Sequence, residues 1–90
     1  MATLIHPTES FDIPTPANLR DCRSLVGGYP EFVRFNDGSY FVKSETSPAD
    51  EPVNRIACSI AALKGFNETF KGRVVFLSAT EASNILPMRP

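Results

Sequence analysis

Ninety residues with a formal net charge of −1 describe a single domain, 1–90, with no basic surface for direct nucleic-acid binding. The apolar share of 42% suffices for a globular core. A chain of this length buries only about 60–65% of its unfolded surface, so a homodimer is one way to enlarge that core. No apolar stretch approaches the roughly 18 residues of a membrane span, and the start lacks the basic-then-apolar pattern of a signal peptide. The expectation is a cytoplasmic protein without membrane contact. Cys22 and Cys58 are far apart and lack the paired spacing of a zinc site, so free thiols are expected rather than a disulfide.

In chain order, "ATLIH" (2–6) reads as a strand stopped by Pro7. Prolines 7, 14 and 16 then make residues 8–15 an extended surface loop. From Pro16, Leu19, Cys22 and Val26 recur at helical spacing. Gly27 follows the last of them, where a left-handed cap is normally glycine, and Gly28 lets the chain turn. A phosphate-binding role for the two glycines lacks the G-x-G-x-x-G spacing and a following helix.

"YPEFVRFNDGSYFVKS" (29–44) is a hairpin around Asn36-Asp37-Gly38. "ETSPADE" (45–51) is an acidic connection in which Asp50 is a candidate cap. "PVNRIACSIAALKG" (52–65) is a helix whose small residues suit packing on a sheet, with Gly65 as its cap. "RVVFLSA" (73–79) is apolar enough for a central strand. Ser78 or Thr80 caps a last helix, "EASNIL", ended by Pro87. The fold class expected is α+β: a small, mostly antiparallel four-stranded sheet with two helices packed on one face.

Catalytic chemistry is hard to assemble. His6 is the only histidine and has no paired carboxylate, and neither cysteine has a sequence-local base. Neither a cofactor nor a metal is expected, and the chain does not read as an enzyme. The candidate binding residues are Gly27, Gly28, Tyr29, Phe32, Arg34, Tyr40, Phe41 and Asn54. Aromatic and arginine side chains dominate interface hot spots, although strand alternation turns only some of these outward. Asn54 in the first helical turn has capping as its plainer reading.

"LVGGYPEFV" (25–33), "PVNRIA" (52–57) and "GRVVFL" (72–77) together resemble a family of small uncharacterised proteins from bacteriophages, mobile elements and gut metagenomes. Its pattern is L-V-G-G-Y-[apolar]-E-x-V, then P-x-N-x-x-A, then G-x-V-V. The chain departs from it at Pro30, usually β-branched, and at Ser44-Glu45, which replaces Asn-Glu. The resemblance implies an accessory protein acting in the bacterial host cytoplasm. Two readings follow: non-catalytic binding that inhibits a host protein or complex, or a sponge for a nucleotide-like signal lined by Gly27, Gly28, Tyr29, Arg34 and Asn54.

Overall fold

The computed structural model describes residues 1–45 and 51–85. Its elements are β1 (Ala2–Ile5), β2 (Ser10–Ile13), α1 (Leu19–Val26), β3 (Pro30–Arg34), β4 (Tyr40–Ser44), α2 (Arg55–Leu63), β5 (Val74–Leu77) and α3 (Ala79–Ile85). The strands form one sheet in the order β2-β1-β5-β4-β3, antiparallel at every junction. The class is therefore α+β with an antiparallel sheet.

That sheet has five strands rather than four. The added strand is β2, which falls in the expected loop 8–15. Pro7 and Pro14 bracket Ser10–Ile13 instead of interrupting it, and the segment pairs with β1 along a sheet edge. An edge strand with mostly exposed side chains has no alternation to read.

The helices also depart from the single-face layer. Cys22 and Val26 of α1 and Ala82 and Ile85 of α3 pack with Tyr40, Val42, Val75 and Leu77. Ala57 and Ala61 of α2 pack instead with Ile5, Phe35, Phe41, Phe70 and Val74. Consecutive residues of β4 alternate between these clusters, as a pleated strand requires, so the clusters occupy opposite sides of the sheet. The small α2 residues leave room for phenyl rings: Phe41 meets Phe35 and Phe70 edge-on at 4.9 and 5.2 Å. Cys22 and Cys58 belong to different clusters and are free thiols.

The two glycines are explained locally. Asn18 caps α1 by accepting from the Asp21 N–H at 2.9 Å. Gly27 ends it at φ 79°, with its N–H donating to Arg23 O. At Gly28 a side-chain carbon would lie 2.5 Å from Ser44 Oγ, so any larger residue there would have to turn that hydroxyl aside for the chain to pass β4.

In the hairpin turn, Asp37 accepts from the Ser39 N–H at 2.9 Å and pairs with Lys64 at 2.6 Å, tying the turn to the end of α2. Asp50, the candidate cap of α2, lies outside the described residues; Asn54 performs that role. Its Oδ1 accepts from the Ala57 N–H at 3.0 Å, and its Nδ2 donates to Ile5 O at 2.8 Å and Gly72 O at 2.7 Å. Ser78 caps α3 in a reciprocal pair: its N–H donates to Glu81 and its hydroxyl accepts from the Glu81 N–H.

Replacing Asn54 with Ala leaves two buried carbonyls and a helix N–H without their partner. A loss of roughly 2–4 kcal/mol is expected from the urea unfolding midpoint. Gly27→Ala is expected to cost about 1 kcal/mol in the same measurement, because alanine resists positive φ.

Acid should also destabilise the chain. The hydrogen bond from Lys64, then those from Ser39, hold the Asp37 carboxyl below its usual range. Burial pushes Glu81 up, but bonds from the Ser78 N–H, Thr15, the Met1 amino group and the Ser78 hydroxyl together hold it below the usual range. Both groups therefore take up protons more readily unfolded, and their contribution is complete above the unfolded pKa of about 4 and lost below it. The midpoint is expected to be flat from about pH 7 to 5.5 and to fall below about pH 4.5. Asp37→Asn combined with Glu81→Gln should make that fall shallower.

Candidate functional site

Strand β3 closes one edge of the sheet, and α1 lies over the same side. Between them is a cleft of about 560 Å³ lined by Leu19, Arg20, Arg23, Tyr29, Pro30, Phe32 and Glu45. Its position follows from chain order: α1 ends at Gly27, the chain turns through Gly28, and Tyr29 and Pro30 start β3 directly beneath the helix.

The floor is apolar. Phe32 is half-buried and meets Tyr40 edge-on at 6.2 Å, which fixes its ring against the core. The rim is aromatic and cationic. Tyr29 is 65% exposed, and the Arg23 guanidinium sits 4.3 Å from its ring centroid. Such a stack holds both side chains in place while leaving the guanidinium edge free to donate. Leu19 is 47% exposed at the first turn of α1. Among the described residues no carboxylate pairs with Arg20, Arg23 or Arg34. Glu31 points to the other side of β3, where Lys43 holds it at 3.0 Å.

The structure separates the eight sequence candidates. Tyr29 and Phe32 line the cleft together. Gly27 and Gly28 serve the turn between α1 and β3 and do not line it. Arg34 is exposed at the far end of β3, on the Phe32 side of the strand. Tyr40 and Phe41 are core residues, 6% and 0% exposed. Asn54 is fully buried, with its side chain committed to three backbone groups.

Sequence reasoning passed over Leu19, Arg20, Arg23 and Glu45. By helical spacing Leu19 belongs with Cys22 and Val26, and Arg20 and Arg23 fall off that apolar stripe. The signal that placed them was a β-strand beginning three residues after the helix, which folds the hairpin back under α1.

The remaining chemistry-bearing residues have local roles. His6 donates its backbone N–H to Glu9 O in the β1–β2 turn, and its ring meets Phe11 edge-on at 5.6 Å. Burial, and next the neighbouring Asp21 charge, push the Cys22 thiol up, away from the reactive thiolate. Cys58 accepts from the Phe70 N–H at 3.3 Å. Among the described residues no group of three or more His, Cys, Asp and Glu is placed to hold a metal ion. No described helix is long and apolar enough to cross a membrane. Compared with known family models, curated proteins and solved structures, the chain matches none.

The cleft is separable from the core. Arg20→Ala is expected to change stability by less than about 0.5 kcal/mol, and Arg23→Ala and Tyr29→Ala, which lose their stack, by no more than about 1 kcal/mol, since all three are exposed. Phe41→Ala, by contrast, should cost about 3–5 kcal/mol in the same denaturant titration.

Proposed function

We propose that the protein is a non-catalytic binding module whose docking site is the cleft between α1 and β3, and that it acts by occupying a surface of a bacterial host protein. The observation that carries this reading is the Arg23–Tyr29 stack at the rim of an apolar cleft. Arginine and tyrosine are the side chains that most often dominate interface energetics, above all when packed beside an apolar pocket. The resemblance carried by "LVGGYPEFV" adds the phage or mobile-element setting and the inhibitory role, in the host cytoplasm.

A second reading rests on the cleft's size. Small-molecule sites occupy about 300–1,000 Å³, and the cleft, at about 560 Å³, falls in that range. A nucleotide-like signal would stack on Tyr29 and pair its anionic group with Arg20 or Arg23. Asn54 takes no part in that version, because its donors and acceptor are already used.

A native mass spectrum of the protein purified from bacterial lysate distinguishes the two. The docking reading expects a co-purifying protein, lost in the Arg23→Ala/Tyr29→Ala variant with its melting temperature unchanged. A bound mass below about 1 kDa lost in that variant would favour the sponge. Loss in His6→Ala or Cys58→Ser alone, at unchanged melting temperature, would overturn both.

A further inference from the structure

The cleft borders a strand edge that no other described strand pairs, and the hydrogen-bond pattern fixes what that edge offers. The Phe35 N–H donates to Ser39 O at 2.8 Å, and the Glu45 N–H donates to Tyr29 O at 2.7 Å. With β3 and β4 in continuous register between these pairs, the odd-numbered residues of β3 turn their backbone polar groups towards β4. The even-numbered residues turn theirs outward. Phe32 and Arg34 each present an N–H and a carbonyl to the open edge, and Pro30 presents a carbonyl alone. Side chains of these same residues lie on the α1 side of the sheet, where Phe32 forms the cleft floor.

Resting on the docking reading above, we infer that the partner is engaged through an extended acidic segment that adds to β3 as an antiparallel or parallel sixth strand of the sheet. Two features select this occupant. A strand paired with Phe32 and Arg34 places alternate side chains on the α1 side, over the cleft. The charges along that side are Arg20 and Arg23 at the cleft and Arg34 at the far end of β3, none paired with a carboxylate among the described residues. Among the described residues Glu45 is the acid lining the cleft.

Charge also argues against a second copy of this chain. Two β3 edges pairing about a twofold axis at Phe32 would set the Arg34 of each at the Pro30 end of the other, where Glu45 is, and would bring no carboxylate to Arg20 and Arg23. An acidic segment supplies those counter-charges.

The test uses a displayed library of randomised peptides of about eight residues, a typical strand length, selected on the full chain. Enriched peptides are expected to carry Asp or Glu at alternate positions with apolar residues between them. Saturation with the most enriched synthetic peptide should slow amide hydrogen exchange at Phe32 and Arg34 by at least about tenfold and leave Glu31 and Val33 unchanged. Arg20→Glu/Arg23→Glu should weaken its binding at least about tenfold, and so should Arg34→Pro, by more than Arg34→Ala, because it removes an outward N–H as well as the charge without touching the β3–β4 ladder. If Arg34→Pro alters the melting temperature, the exchange measurement on the unaltered chain decides alone.

Selection of no peptide, of peptides without acidic alternation, or of peptides that leave both amides unprotected would overturn strand addition. So would a dimer in sedimentation velocity that dissociates in Arg34→Pro, since it would assign the edge to a second copy. The docking reading fails on a different result: retention of the co-purifying protein by Arg23→Ala/Tyr29→Ala.

Discussion

Asn54 is the joint on which the rest of the structure depends. Its backbone N–H donates to Phe70 O, and its carbonyl accepts from the Cys58 N–H as the first turn of α2 forms. Its side chain caps that helix and reaches across to the end of β1 and to Gly72, just before β5. One buried residue thus joins segments from the start, middle and last third of the chain. In so small a core, a buried amide left unsatisfied costs about as much as several packed methyl groups contribute, so full satisfaction at this position decides whether the layers meet.

The joint also explains where β5 goes. With Ile5 and Gly72 held to the same side chain, the strand that follows Gly72 enters the sheet beside β1 and completes it between β1 and β4. That leaves β2 and β3 as the two edges. The edges differ in use. Beside β2 the chain closes a tight hairpin, whereas β3 carries a cleft, an exposed Arg–Tyr stack and backbone groups facing outward. The aromatic part of the core sits on the α2 side; the cleft lies on the other side, against α1.

This division of labour gives the seven phenylalanines their meaning. Phe35, Phe41, Phe66, Phe70 and Phe76 form a connected set of ring contacts beneath α2. Phe32 floors the cleft, and Phe11 is 43% exposed on β2. The abundance of aromatic residues is thus mainly a packing device for a domain with little volume to bury, and two tyrosines separate its uses: Tyr40 inside, Tyr29 outside.

The sequence by itself determined what depends on near neighbours. Gly27 as a left-handed cap, the Asn36-Asp37-Gly38 turn, the 29–44 hairpin, a last helix capped by Ser78 or Thr80 and the apolar central strand all follow from local φ preferences and periodicity. So does the α+β class. Tertiary structure decided what depends on pairing at a distance. Ser10–Ile13 became a strand because β1 lies beside it, not because its side chains alternate. Asn54 moved from candidate binding residue to buried joint because Ile5 and Gly72, distant in sequence, bring their carbonyls to it. The helices' buried residues fell into two clusters because Cys22 packs with Tyr40 and Val42, whereas Ala57 packs with Phe41 between them. Arg20 and Arg23 became part of a cleft only when β3 folded back under α1: a charged residue on a helix reads as solvated until the chain places an aromatic ring beneath it.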